Sequence, residues 1–123
     1  MEISTPTSDA LERYLSLSTA QLRLTASNMA NVDTPGYRTQ GFDFQQEFAR
    51  QMQETETLAG ALNTSPQTTL VDGLVARPDG NNVSMDREGL QLAKAQMQFK
   101  LGVLLIKNEF SMISSAIHAS DGK

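Results

Sequence analysis

Apolar side chains recur with helical spacing near the start of the chain. The series advances in alternating steps of four and three residues, so its members share one face of a helix. They are Leu11, Leu15, Ser18, Leu22, Thr25 and Met29. The pattern predicts an amphipathic helix over about residues 8–32, with Thr7 or Ser8 as its N-cap. Pro35 lacks an amide donor and Gly36 favours a turn, so we expect the helix to end before them.

A longer series with the same spacing occupies the last third of the chain. Its members are Leu92, Gln96, Phe99, Val103, Ile106, Phe110, Ile113 and Ile117. It predicts a second helix from Ser84 to about His118. Another apolar stripe lies beside it and contains Leu90, Ala93, Met97, Leu101 and Leu104. One partner helix cannot cover both stripes, so we expect apolar surface to remain for another chain. Gly102, inside this helix, marks a close helix contact or a bend.

Helical periodicity weakens between these two segments. The apolar residues of 42–48 predict a short helix that continues through Met52. Residues 53–82 are rich in Thr, Gly and Pro and contain no aromatic residue. We therefore expect a surface loop or partly disordered insert there, in which Leu70-Val71 and Leu74-Val75 could form short strands.

The predicted fold class is therefore mainly α, with two long terminal helices and an irregular middle. We divide the chain into an N-terminal helix and turn over residues 1–37, a variable insert over residues 38–82 and a C-terminal helix over residues 83–123. Each of the two outer segments has a helix with an apolar face that another helix must cover.

Composition excludes several classes of function. The net charge of −4 argues against a general nucleic-acid-binding surface, and the absence of cysteine removes disulfides, thiol nucleophiles and cysteine zinc sites. Ser115, His118 and Asp121 have the residue types of a hydrolytic triad, but no oxyanion-hole motif accompanies them. We predict no catalytic, cofactor-binding or metal-binding residues, and hence no enzyme.

The chain also lacks the features of membrane insertion and of secretion by a cleaved signal. No run of about 20 apolar residues is present, as a spanning helix would need. The first residues contain an acid where a secretory signal carries Lys or Arg. We expect a protein that is not integral to a membrane and is cytoplasmic unless another export route applies.

Two polar segments carry more information than the composition. In the first, Asn28 and Asn31 can bond to the free carbonyls at the end of the predicted helix. Pro35 and Gly36 suit the central positions of a type II turn, and Tyr37 can then pack back on the helix. These features alone are also typical of an ordinary helix stop.

The first segment, NMANVDTPGYR, resembles the N-terminal signature of the flagellar axial family, the rod, hook and hook-associated proteins of bacteria. The residues of this turn motif are Asn28, Ala30, Asn31, Thr34, Pro35, Gly36 and Tyr37. The second segment resembles the start of the C-terminal helix in the family's smallest proximal rod subunits. The residues of this helix-start motif are Asp79, Gly80, Asn81, Asn82, Val83 and Asp86. The related proximal rod protein C, kept as an alternative, generally has a Pro-Asn-Val run there.

The resemblance implies an antiparallel coiled-coil pair of terminal helices that polymerises in a tubular rod. The implied function is a structural subunit that links the base and export gate to the drive shaft of the flagellum. The implied partners are proximal rod proteins C and F, the basal-body adaptor protein E and the flagellar export gate. The predicted assembly stripe contains Leu11, Leu15, Leu22, Met29, Leu92, Phe99, Val103, Ile106, Phe110, Ile113 and Ile117.

The resemblance further implies export by the flagellar type III apparatus to a periplasmic rod, with no cleaved signal. Phe44, Phe48 and Met52 resemble the short hydrophobic export signal of the family, although the same spacing suits a helix core pair. From another class of function, a cytoplasmic helical adaptor or chaperone that binds a partner helix fits the same amphipathic pattern.

Overall fold

The computed structural model describes residues 5–54 and 65–121, and within these ranges the chain is mainly helical. Its elements are α1 (Pro6–Ala30), β1 (Gln40–Gly41), α2 (Phe44–Glu54), β2 (Thr69–Leu70) and α3 (Met85–Asp121). The prediction of a mainly α fold with a long helix toward each end is confirmed, as is the short helix between them. Residues 55–64 of the predicted insert lie outside the described residues.

The N-terminus of α1 differs from the prediction, because Thr5 is the N-cap rather than Thr7 or Ser8. The Thr5 hydroxyl accepts a hydrogen bond from the Ser8 amide at 3.0 Å, and the Ser8 hydroxyl accepts one from the Thr5 amide at 2.9 Å. This reciprocal pair is a capping box. Pro6 favours the earlier start, since a first-turn residue has no intrahelical use for an amide donor.

The two long helices pack antiparallel along most of α1. Thr5 donates to Glu109 at 3.1 Å near one end of the pair, and Asn28 donates to Glu88 at 3.1 Å near the other. No described helix combines the length and the apolar character that a membrane crossing would require. The two hydrogen bonds, at opposite ends of the helix pair, show that α1 and α3 join the two ends of the chain, as the fold prediction required.

Gly102 lies where side chains of α1 pack tightly against α3. A Cβ atom on Gly102 would lie 2.7 Å from Leu15 Cδ2 and 3.0 Å from Tyr14 Cδ1. Of the two predicted roles for this glycine, the close helix contact is the one observed. Tyr14 and Asn28 are separated by the same 14 residues as Glu88 and Gly102, so the antiparallel register places Gln21 opposite Ala95.

The buried line between the helices is displaced from both predicted stripes on α3, whereas on α1 it includes Ser18 and Thr25 of the predicted series. The buried residues of the pair are Leu17, Ser18, Gln21, Thr25 and Asn28 on α1, and Glu88, Ala95 and Gly102 on α3. Ala95 and Gly102 are the small residues of this line on α3, and large apolar residues of α3 flank it. One face of each helix consequently remains only partly covered.

The middle of the chain packs on α1 through aromatic rings. Tyr14 makes edge contacts with Phe44 and Phe48, at centroid distances of 5.1 Å and 6.0 Å. β1 and β2 pair antiparallel, with Gln40 opposite Leu70. The predicted short strand at Leu70-Val71 is thus confirmed one residue earlier, since β2 contains Leu70 and not Val71.

The second predicted strand, Leu74-Val75, was wrong, since these residues have no strand conformation. β1 has only two residues, and both pair with β2. The described sheet contains only β1 and β2, and Val75 lies outside it and is 91% exposed.

Candidate functional site

The two sequence motifs, which are about 40 residues apart in the chain, contact each other in space. The Gly36 amide donates to the Asp79 carbonyl at 2.9 Å, and the Asn82 amide donates to the Tyr37 carbonyl at 3.3 Å. We call this contact region, formed by residues 28–40 and 77–88, the junction. It closes one end of the helix pair, where α1 ends and α3 begins.

A glycine-containing turn on each side permits this close approach. The Tyr37 amide donates to the Thr34 carbonyl at 3.2 Å, and Gly36 has a φ of +76°. This is the predicted type II turn. On the other side Gly80 has a φ of +88°, and a Cβ atom there would lie 3.4 Å from Gly36 Cα. The two turns therefore pack backbone against backbone.

Asn81 joins the helix-start motif to the chain that follows α1. Its amide nitrogen donates to the carbonyls of Asn31 and Thr34, each at 2.8 Å. Its amide oxygen accepts from the Val83 amide at 2.9 Å. The side chain is fully buried, so an aspartate in its place would lose the donor and face two carbonyl oxygens.

Asn82 performs a similar task for Thr39. The Asn82 side-chain oxygen accepts from the Thr39 amide at 2.7 Å, and the Thr39 hydroxyl donates to the Asn82 carbonyl at 3.3 Å. Both residues are buried. Sequence reasoning missed Thr39, since nothing in its immediate sequence distinguishes it from an exposed loop threonine.

Asn28 lies at the centre of the junction and uses its whole amide. It donates to the Gln40 carbonyl at 2.8 Å and to Glu88 at 3.1 Å. It accepts from the Tyr37 hydroxyl at 3.0 Å and from the Gln40 amide at 3.2 Å. The expectation that Asn28 bonds to free carbonyls of α1 was therefore wrong, because this residue is on the face that meets α3.

Asn31 and Tyr37 follow the sequence interpretation more closely. Asn31 donates to the Ser27 carbonyl at 2.7 Å, so it is the asparagine that serves the end of α1. Tyr37 returns to α1 as expected, and its hydroxyl contacts Asn28. The Thr34 hydroxyl completes the turn by donating to the Asn31 side chain at 3.0 Å.

Glu88 supplies a buried carboxylate to the junction. Arg87 Nη1 lies 2.5 Å from Glu88 Oε1, while Asn28 donates to Oε2. The predicted helix-start motif contains the acids Asp79 and Asp86, but both are exposed, whereas Glu88 is fully buried. The signal that could have found Glu88 is its spacing, since it lies 7 residues before Ala95 and 14 before Gly102 on the inner line of α3.

The other predicted motif residues form the rim of the junction. Ala30, Thr34, Pro35, Gly36, Asp79 and Asp86 are exposed, whereas Val83 is buried. Arg77, a further residue that sequence reasoning missed, donates from its guanidinium to the Val32 carbonyl. No cluster of three metal-binding side chains occurs among residues 5–54 and 65–121. Hydrogen bonds between the two chain segments, such as those of Asn28, Asn81 and Asn82, hold the junction together.

The residues predicted as an export signal belong to α2. Phe44 and Phe48 are half-buried against Tyr14, while Met52 is 36% exposed. The rings of Phe44 and Phe48 stack on each other, so their arrangement in the folded chain is that of a helix core pair.

Glu47 on the same helix is nearly buried and ion-paired. Burial by itself would raise the pKa of the Glu47 carboxyl, but hydrogen bonds from Arg50, Gln51 and the Gln67 backbone, with the charge of Arg50, hold that pKa below its ordinary value. Arg50 also contacts Glu54 at 2.5 Å. This cluster attaches α2 to the segment around Gln67.

The predicted assembly stripe is partly covered. Its members on α1 are half-buried, as are Leu92, Val103, Ile106 and Ile113 on α3. Phe99, Phe110 and Ile117 are exposed. The neighbouring stripe on α3 is more exposed still, so large apolar side chains extend along this helix without cover from the described part of the chain.

Comparisons with known proteins agree with the two motifs. No family model matches the chain. The chain is 28% identical to flagellar basal body rod protein FlgB of Salmonella typhimurium, over 89% of this chain and 91% of the relative. It is 25% identical to FlgB of Bacillus subtilis, over 95% and 97% of the two chains, and 27% identical to FlgB of Buchnera aphidicola, over 80% and 84%. The predicted resemblance is confirmed, and the chain is similar over most of its length to flagellar basal body rod proteins from diverse bacteria.

Proposed function

We propose that this chain is a structural subunit of the proximal rod in the flagellar basal body. Similarity to flagellar basal body rod proteins over about nine tenths of the chain supports a rod component. A structural role also agrees with the junction, whose side chains bond to one another. In the proposal the subunit polymerises through its two long helices and connects the base and export gate to the drive shaft.

The observation that carries the proposal is the uncovered apolar surface of α3. Its exposed large apolar residues are Met85, Leu90, Met97, Phe99, Leu101, Leu104, Leu105, Phe110, Met112 and Ile117. Burial of apolar surface is worth roughly 25 cal/mol per Å², so covering these side chains gives a strong drive to assembly. A surface of this extent is typical of a protein whose interior is completed by its neighbours.

The proposed partners follow from the position in a rod. They are further rod subunits, including the proximal rod proteins C and F, together with the basal-body adaptor protein E and the export gate. The proposed location is the periplasmic part of the rod after type III export, with Phe44, Phe48 and Met52 as the candidate export signal. Because Phe44 and Phe48 are half-buried in the folded chain, the export gate would have to recognise them before the chain folds.

Removal of residues 84–123 tests the rod assignment in cells. This deletion eliminates α3 and the uncovered apolar surface. We expect basal bodies without a complete rod, seen by electron microscopy, and no motility. Normal rods would contradict the proposal and favour a soluble adaptor, for which we would expect a stable dimer and unaffected flagella.

A single substitution tests polymerisation more finely. Ile106 is half-buried within the predicted assembly stripe, and Ile106→Asp places a charge among apolar contacts. We expect the variant to be absent from isolated basal bodies. Asn108→Asp is the matched control, because it introduces the same charge at an exposed position of the same helix. Incorporation of both variants at the normal level would contradict polymerisation through this stripe.

A further inference from the structure

The last part of α3 extends past the point where α1 begins. Thr5 contacts Glu109, and α3 continues as one helix through Asp121. We call the twelve residues of α3 that follow Glu109, Phe110–Asp121, the overhang. At 1.5 Å per residue the overhang is about 18 Å long.

One face of the overhang is apolar and ends in an acid. Steps of four, three and four residues place Phe110, Ser114, Ile117 and Asp121 on that face. Phe110 is 66% exposed and Ile117 is 51% exposed. The carboxylate of Asp121 and the negative end of the helix dipole lie together at the tip. The overhang therefore presents an apolar face with a negative end.

A groove of matching length runs along the side of α1. It has a volume of about 720 Å³ and extends from Leu15 to Ser27, with Phe42 and Pro66 among its walls. The twelve helical steps from Leu15 to Ser27 also span about 18 Å. Arg23 is the charged residue among those described that line it. Among the described residues, Leu15, Leu24 and Phe42 give the groove apolar walls, while five hydroxyl side chains give it polar ones. The apolar walls and the positive charge of Arg23 complement the overhang.

The overhang cannot reach the groove of its own chain. α3 is one continuous helix from Met85 to Asp121, and the overhang points away from the end of α1 at Pro6. The groove begins nine residues further along α1, beside the part of α3 near Gly102. A fold back onto the groove would need a break in α3, so an occupant of this shape has to come from another molecule.

We propose that the overhang of one copy docks in the groove of a second copy, with Asp121 toward Arg23. This inference rests on the proposed polymerisation and names the two surfaces that meet. The surfaces differ from each other, so the contact is heterologous and each bound copy leaves one free overhang and one free groove. Repetition of such a contact builds a ring or an open helical array rather than a two-fold dimer.

Cysteine cross-linking of the full chain tests this pairing directly, because the natural sequence contains no cysteine. One sample carries Ser114→Cys on the overhang face, and the other carries Ser16→Cys, Ala20→Cys or Ser27→Cys in the groove. After mixing and oxidation, we expect a disulfide between the two variants with at least one groove position, identified by mass spectrometry. Ser115→Cys is the matched control, since it lies about 100° around the same helix.

We expect the Ser114 cross-link to form at least about tenfold faster than the Ser115 cross-link, given the narrow Cα separation that a disulfide allows. Equal rates, no cross-link to any groove position, or cross-links only between two overhangs would each overturn the pairing. In those cases an Ile106→Asp variant that still fails to enter rods would leave the rod function standing. The two proposals can thus fail separately.

The charge contact provides a second measurement on variants that change only exposed residues. Arg23→Glu in the groove partner should slow cross-linking by about two- to fivefold, the range of an exposed ion pair. Asp121→Arg in the overhang partner should restore the rate. An Arg23→Glu variant that cross-links as fast as its parent would contradict the pairing.

Discussion

The two ends of the helix pair are built from opposite kinds of side chain. At the junction, Asn28, Asn81 and Glu88 are almost completely buried and bonded to protein partners. At the other end, Phe110 and Ile117 are exposed. Hydrogen bonds depend on direction and apolar contacts do not, so the junction fixes one arrangement within the chain while the overhang leaves its contacts to a neighbour.

Because of this difference, the stability of the single chain and its association with other chains should depend on different residues, which is unusual in a small protein. A change at the junction should mainly alter the stability of the single chain, since a buried polar group without its partner is costly. A change on the uncovered part of α3 should mainly alter association. The following substitutions test this separation, beginning with the largest expected change in the free energy of unfolding.

Replacement of Asn28 should have the largest effect. Asn28→Ala removes four hydrogen bonds and leaves the buried Glu88 carboxylate without one of its donors. We expect a loss of about 3–5 kcal/mol in the free energy of unfolding, the range for a broken buried polar network. Urea unfolding followed by circular dichroism measures it.

Asn31→Ala is the matched control for this experiment. Asn31 is near the same end of α1, but its side chain bonds at the surface to Ser27 and Thr34. We expect a loss of about 1 kcal/mol or less, the usual net value of one or two exposed hydrogen bonds. Equal losses for the two variants would mean that the junction is no more important to stability than an ordinary helix end.

Gly102 and Gly89 allow a comparison within a single helix. A Cβ at residue 102 would meet Leu15 at 2.7 Å, whereas a Cβ at residue 89 meets nothing within 4 Å. Gly89→Ala should raise the free energy of unfolding by about 0.5–1 kcal/mol through helix propensity. Gly102→Ala gains the same propensity but crowds Leu15, and we expect a net loss of about 1 kcal/mol from overpacking. Thermal unfolding of both variants gives the signs, and a stabilising Gly102→Ala would show that the helices separate there without cost.

The positions of the helices could be predicted from the sequence because their signals are local. Apolar periodicity located both long helices to within a few residues, and the residues around Pro35 and Gly36 predicted the turn. The N-cap was misplaced because Thr5, Thr7 and Ser8 are all good caps, and the choice depends on the reciprocal bond to Ser8.

The inner face of the helix pair was harder to predict. A search for large apolar residues favours Leu, Ile and Phe, but the observed contact line on α3 consists of Glu88, Ala95 and Gly102. Small residues lie there because the helices approach closely, and the buried acid is present because Asn28 and Arg87 pair with it. These causes depend on the partner helix and on the junction, and within α3 they leave only the seven-residue spacing of Glu88, Ala95 and Gly102.

The Glu47 cluster predicts a pH effect that is smaller and independent of the junction. The pKa of Glu47 is lower in the folded chain than its ordinary value of 4.5, so the ionised form is favoured by folding. Its contribution to stability is complete above the ordinary pKa and is lost as the pH falls through the lower, folded value. Urea midpoints of the parent chain and Glu47→Gln should therefore differ near neutral pH and converge in acid. A difference that grows in acid would contradict the direction of the shift.

Phe110→Ser should produce the smallest change in unfolding and a large change in association. Phe110 is 66% exposed in the single chain, so its loss should alter the free energy of unfolding by only about 0.5 kcal/mol. Val75→Ser is the matched control, because Val75 is 91% exposed and lies outside α3. We expect neither variant to shift the urea midpoint appreciably, and only Phe110→Ser to reduce association in sedimentation velocity. If Phe110→Ser instead lowered the free energy of unfolding as much as Asn28→Ala, the apolar end would be stabilising the single chain as well. Stability and association would then not be divided between the two ends of the helix pair.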